Sequence, residues 1–186
     1  VDDVGAEIAA GHLSLRDATF TTQPILSDGI DSILRGLANQ QAQAVDTKVI
    51  NELRNLLFGP PGAGGIDLIA VDIQRGRDHG LPSYNQARID YGLIAVTEFS
   101  DITSDTDLQL ALQSVYGSVD NVDAFVGGLA EDPVPGGLLG ELFAAAVMDQ
   151  FRRLRDGDRF WYENNQLSTD ELAEVRSTSF ADIIHR

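Results

Sequence analysis

Apolar residues recur every three or four positions along much of this chain, and that period directs it towards helices. Ile30, Ile33, Leu34 and Leu37 form one series; Val49, Ile50, Leu53, Leu56 and Leu57 form a second. Asp46 stands where the second series would take its N-cap. The segment FGPPGAGG closes it, because two prolines and four glycines between Gly59 and Gly65 cannot continue a helix. Leu108, Leu112 and Val115 predict another helix, with Thr106 or Asp105 as its cap, and EDPVPGG after Ala130 is a turn-rich break. The longest helix is expected over roughly Leu138–Arg155. Gly157 would sit just past its end, and Arg152, Arg153 and Arg155 suit the negative pole of its dipole. STDE at 168–171 has the form of a capping box for a further short helix. With no heptad array, internal repeat or convincing strand pair, the expected class is mainly α, with few or no strands.

Composition removes several functions. A formal net charge of −16 and a pI near 4.3 argue against phosphate backbones and anionic membranes, so no nucleic-acid partner is expected. Lys48 is the single lysine among 13 basic residues; the rest are arginines, whose planar fork suits carboxylate pairing, and several are expected to lie inside the fold. The absence of cysteine excludes disulfides, thiolate chemistry and Cys-based metal sites, and leaves the redox compartment open. No apolar run approaches the roughly 18 residues of a membrane span. The opening VDDVGAEIAAG, starting at Val1, reads like the interior of a longer protein, so a fragment or a processed chain is expected.

Few motifs carry chemistry by spacing. GPPGAGG lacks the Lys-Ser/Thr of a phosphate-binding loop and does not match GxGxxG. Asp101, Asp105 and Asp107 in SDITSDTD lack the central glycine and final glutamate of a calcium loop, so they read as a solvated acidic loop. His12, His79 and His185 share no HxxxH or HExxH spacing, and no serine sits in GxSxG.

Asp72 is the anomaly. It stands in GIDLIAVDIQR, an apolar run that periodicity assigns neither to a buried strand nor to a buried helix, and an unpaired charge there is costly to bury. If the run is helical, Leu68, Asp72 and Arg75 share one face. The simplest account is a local Asp72–Arg75 pair, worth about 0.2–0.5 kcal/mol on an exposed helix. The other is a donor from elsewhere.

IDLIAVDIQRGRDHGLPSYNQAR, from Ile66 to Arg88, resembles the signature of animal-type haem peroxidases of the peroxidase-cyclooxygenase superfamily. DGIDSILRGL (28–37), VDAFVGGLAEDPVPGGLLG (122–140) and QFRRLRDGDRFWYEN (150–164) support it in the same order. The resemblance implies the carboxy-terminal part of an all-helical peroxidase domain, incomplete over residues 1–186, whose proximal and distal haem residues lie upstream. It implies haem b or a covalently modified haem, hydrogen peroxide and a small reducing substrate, and the upstream part of the same domain as partner. A secreted or extracellular location is favoured, and the lack of cysteine points to a bacterial or fungal type.

Residue by residue, Asp72 matches a position that is usually asparagine in vertebrate members, where it accepts a hydrogen bond from the proximal histidine. An anionic acceptor there would strengthen imidazolate character and favour higher iron oxidation states. Arg75 matches an arginine near a haem propionate, while Leu68 and Val71 match apolar positions near the proximal face. His12 follows a glycine, as the iron ligand does, but LSLRDATF resembles the segment downstream of that ligand, so His12 is rejected. His79 and Trp161 are expected to be structural. The aspartate at position 72 leaves halide preference open. Two alternatives stand beside the peroxidase: a fatty-acid dioxygenase of the same superfamily, although Tyr84, Tyr91, Tyr116 and Tyr162 match no radical-site motif, and a non-catalytic adhesion or scaffold segment. The chain alone is expected to be inactive.

Overall fold

A computed structural model describes residues 1–19, 21–56 and 65–185. The elements run α1 (Leu15–Ala18), α2 (Gln23–Asp28), α3 (Asp31–Asn39), a π-helical turn (Glu52–Leu56), α4 (Leu68–Asp78), α5 (Tyr84–Asp90), α6 (Thr106–Tyr116), α7 (Ala124–Ala130), α8 (Glu141–Gly157), α9 (Thr169–Ser177) and α10 (Phe180–His185), with 3₁₀ turns at Phe99–Asp101, Val119–Asn121 and Tyr162–Asn164. Strand pairing among the described residues is confined to isolated bridges such as Ser83–Asp123. The class is mainly α, as expected.

The chain divides into two compact units, Val1–Gln43 with Asp158–Arg186, and Ala44–Gly157. In the first, α3 packs against α10, and the Val1 amino group donates to the Ser32 carbonyl at 2.8 Å. The predicted capping box forms at Ser168, whose hydroxyl accepts from the Glu171 amide while the Glu171 carboxylate accepts from the Ser168 amide. Trp161 is half-buried, tilted on the Tyr162 ring with centroids 4.7 Å apart.

The second unit holds the buried core. Tyr84, Ala87, Val96, Ile102, Leu112, Val119, Val122, Ala130 and Leu142 meet there, drawn from α5 to α8 and the turns between them. Burying a side chain such as Val122 completely contributes about 1.5–3 kcal/mol. Asp105, rather than Thr106, caps α6, its carboxylate accepting from the Asp107 and Leu108 amides.

Three expectations change. Asp46 starts no helix: its carboxylate accepts from the Lys48 amide and the chain then runs without helix to Ile50, consistent with the χ1 stiffness of β-branched Thr47, Val49 and Ile50. The π-helical turn takes the place of the expected helix, while Leu57 and the predicted loop up to Gly64 lie outside the described residues. The long helix begins at Glu141, not Leu138, because a turn closes first, with the Val134 amide donating to the Leu139 carbonyl at 2.9 Å. Gly157 is the last helical residue of α8 and is not among the positive-φ glycines.

Candidate functional site

The run IDLIAVDIQ is the first part of a helix, and its ends explain the choice. At the start, the Asp67 carboxylate accepts from the Ile69 and Ala70 amides at 3.0 and 3.1 Å. At the end, Gly80 takes φ +71°, its amide donating to the Arg77 carbonyl while the Leu81 amide donates to the Gly76 carbonyl. That paired bonding needs a left-handed residue, which glycine adopts without a Cβ penalty.

On α4 the half-buried stripe is Leu68, Ile69, Asp72, Ile73 and Gly76; Val71, Arg75 and Arg77 lie exposed. The four residues singled out by resemblance, Leu68, Val71, Asp72 and Arg75, therefore share one flank, two at the edge of the packed stripe and two facing out. Among the described residues neither the Asp72 carboxylate nor the Arg75 guanidinium has a hydrogen bond or ion pair, and no pair joins them. The local-pair account of Asp72 is thus not realised. Their neighbours differ: Gln74 donates to Asp78 at 2.7 Å, and Arg77 grips Asp123.

Val71, Arg75, Ala70, Gln74, Asp78 and His79 border an open recess of about 460 Å³. Val71 is 44% exposed despite being aliphatic. Of the four residues singled out by resemblance, Val71 and Arg75 border it and Leu68 and Asp72 do not; an apolar contact and a cation of this kind fit one side of a haem and its propionate. None of the four tyrosines borders the recess. His79 closes α4 as its C-cap, with its amide on the Arg75 carbonyl. His12 is exposed, 3.9 Å from Glu7. No group of three His, Cys, Asp or Glu residues among the described residues is arranged to hold a metal.

Two polar clusters were not foreseen. In the first, Arg77 Nε and Nη2 donate to the two Asp123 oxygens at 2.9 and 2.7 Å, and the Tyr116 hydroxyl donates to the same carboxylate at 2.8 Å. The hydrogen bond from Arg77 holds the Asp123 carboxyl below the usual carboxylate range against the opposing effect of burial. Burial, then Asp123, pushes the Tyr116 phenol up to about 12.

In the second, Arg88 is buried between Glu131 and Glu141, donating to both, and its Nε donates to the Ile94 carbonyl at 2.7 Å. Tyr84, fully buried, donates to Glu131 at 2.7 Å, and the second Glu131 oxygen accepts from the Leu142 amide at 2.7 Å. Burial opposes the charge on Arg88, but the two carboxylates outweigh it and raise its pKa. Burial first, then Glu131, pushes the Tyr84 phenol above its ordinary value. The arginine-rich composition was the one advance signal of such internal pairs.

The sequence profile of the family described as animal haem peroxidase matches residues 2–186. The chain belongs to the animal haem peroxidase family. Its relatives include peroxinectin A of Dictyostelium discoideum, 45% identical over 87% of this chain and 30% of the relative. Thyroid peroxidase of Sus scrofa is 40% identical over 96% of this chain and 20% of the relative. Among solved structures, peroxidase A from Dictyostelium discoideum is similar at TM-score 0.79 and 38% identity, over 94% of this chain and 37% of that one. A fatty acid alpha-dioxygenase from Oryza sativa is similar at TM-score 0.67 and 25% identity, over 87% of this chain and 26% of that one. The chain thus spans 30% or less of the length of the two curated relatives. Membership of the family implies haem as cofactor.

Proposed function

We propose that this chain is part of a haem-dependent peroxidase that reduces hydrogen peroxide while oxidising a small second substrate, and that α4 is its proximal wall. The carrying observation is Asp72: a carboxylate in the half-buried stripe of α4, beside Arg75 and an exposed Val71, with neither charged group partnered among the described residues. Haem, when bound, supplies the electron transfer to peroxide. The protein's own residues do the positioning.

In this reading Asp72 accepts a hydrogen bond from the Nδ1–H of the iron-bound histidine supplied by the upstream part of the domain. That fixes the ring's orientation and increases its basicity. Arg75 donates to a propionate through a charge-assisted pair, and Leu68 and Val71 exclude water from the same side. Haem b and a covalently attached haem both suit these contacts. A secreted or extracellular protein goes with this reading, and no helix among the described residues is long and apolar enough to cross a membrane.

Relative likeness favours peroxidase over dioxygenase: peroxidase A matches at 38% identity against 25% for the dioxygenase, with the higher TM-score. The Tyr84 hydroxyl, moreover, is held in the buried Glu131 cluster. Haem titration separates the enzyme from a silent scaffold. The isolated chain should bind haem weakly or not at all and be inactive. Adding the upstream part of the domain should give a Soret band and peroxide-dependent dye oxidation. A complete protein that stays haem-free and inactive would sink the enzyme reading.

A further inference from the structure

We propose that Arg77, Asp123 and Tyr116 form a latch that fixes the rotation of α4 about its axis and so aims Asp72, a role that rests on the proximal reading of Asp72. Among the described residues α4 packs against the π-helical turn and α7 without any of its side chains becoming buried. None of its residues is fully buried, and its packed stripe of Leu68, Ile69, Ile73 and Gly76 is only half covered. The pair to Asp123 is bidentate, and two parallel bonds to a planar fork resist rotation in a way that one contact cannot.

The far end of the latch is firmly set. Asp123 is bridged to Ser83, and their chain neighbours Val122 and Tyr84 are fully buried, with the Tyr84 amide donating to the Val122 carbonyl at 2.8 Å. Asp123 also stands at the N-cap of α7 with cap-like backbone angles, φ −64° and ψ 140°, yet its side chain makes no cap bond. Asp67 and Asp105, in the same position on α4 and α6, both cap. Asp123 forgoes that local contact, and its carboxylate faces Arg77 and Tyr116 instead.

Geometry links latch to site. Arg77 and Asp72 are five residues apart, about 140° round a helix of 3.6 residues per turn, so fastening one flank orients the other. Side-chain tips lie about 5–6 Å from the axis, so a rotation of about 10° displaces Asp72 by about 1 Å. A misplacement of that size at a site, caused by a change far from the chemistry, can cost on the order of a hundredfold in rate. Arg77 is thus a positioning residue, and Arg75, two residues away, is left to face the recess.

The test uses the whole haem-loaded protein and two readouts: amide hydrogen exchange resolved by helix, and the iron–histidine stretching band in resonance Raman spectra. Arg77→Gln should speed exchange in α4 by about tenfold or more while α5 to α7 stay nearly unchanged. It should also move the band in the same direction as Asp72→Asn. The swapped pair Arg77→Asp with Asp123→Arg should restore both. Tyr116→Phe, a milder change should Arg77→Gln fail to fold, should loosen α4 by a smaller factor. Unchanged exchange in α4, or equal loosening of every helix, would overturn the latch. A band moved by Asp72→Asn but not by Arg77→Gln would overturn its aiming role. If Asp72→Asn leaves the band where it was, the reading of Asp72 falls on its own, because exchange in α4 still decides whether the latch holds the helix.

Discussion

The signature from Ile66 to Arg88 holds two arginine and carboxylate arrangements with opposite fates. On α5, Arg88 is buried with Tyr84 and Glu131 while the exposed Glu141 closes the rim, and the donors and acceptors of that cluster answer one another within the chain. On α4, Asp72 and Arg75 stand three residues apart and answer nothing among the described residues. Buried polar groups in native proteins are satisfied almost without exception. The first cluster is therefore a finished piece of this chain's interior, whereas the second, half-buried at Asp72 and exposed at Arg75, is the pair that we propose to serve the haem. Nearness in sequence did not make them alike; burial set them apart.

Removing Glu131 should break the finished cluster most severely. Glu131→Ala leaves Arg88 buried opposite a missing carboxylate and removes the acceptor of the Tyr84 hydroxyl and the Leu142 amide. Breaking a buried pair by deleting one partner costs about 3–5 kcal/mol. Urea unfolding of the protein carrying this chain should register that loss in the transition that reports this unit. A loss below about 1 kcal/mol, the ordinary worth of an exposed pair, would show that the cluster is not the enclosed structural element it is taken to be.

Gly127→Ala comes next. A Cβ at position 127 would lie 2.3 Å from Cδ2 of the Tyr84 ring, and that ring is fully buried with its hydroxyl tied to Glu131. Overpacking of this kind costs about 1–3 kcal/mol. Since the ring cannot retreat without pulling on Glu131, the double variant Gly127→Ala with Tyr84→Ala should recover part of the Gly127→Ala cost. Strict additivity in that cycle would separate the glycine from the cluster.

The same two arrangements show what sequence could and could not reveal. α3, α6, α8 and α9 were legible because each carries an apolar period or a cap, and Asp105 and Ser168 act as caps in the structure. α7 was not, because AFVGGLA places two glycines in a helix interior, each costing about 1 kcal/mol in propensity. Their reason is tertiary: Gly127 admits Tyr84 and Gly128 admits Phe143, each with a would-be Cβ only 2.3 Å from the ring. Glu131 was hidden in a stretch that reads as a turn, and its partners lie 43 and 47 residues away in Arg88 and Tyr84. No local pattern reports a pair at that separation. Asp72 was conspicuous for the opposite reason, being a charge inside an apolar run; its shared face with Leu68 and Arg75 followed on the condition that the run is helical, and Val71 joined them through the resemblance. The role given to that flank came from resemblance, since spacing cannot distinguish an acceptor for a ligand from an unused surface charge.

Asp72→Asn should have the smallest effect on folding and a specific one on haem. A half-buried carboxylate with no partner among the described residues has little native interaction to lose, so stability should stay within about 0.5 kcal/mol. An amide still accepts through its oxygen but carries no charge, so the iron-bound imidazole becomes a weaker donor to the metal. The reduction potential should therefore rise, and peroxidase activity should fall by no more than about tenfold, the low end for an altered partner of a metal ligand, because asparagine keeps the acceptor oxygen. Spectroelectrochemistry of the haem-loaded protein reads the first quantity and steady-state dye oxidation the second. A variant that loses several kcal/mol of stability would place Asp72 among the finished contacts, alongside Glu131. One that changes neither stability nor potential would leave α4 with no part in holding the cofactor, and the contrast between the two arrangements would reduce to burial alone.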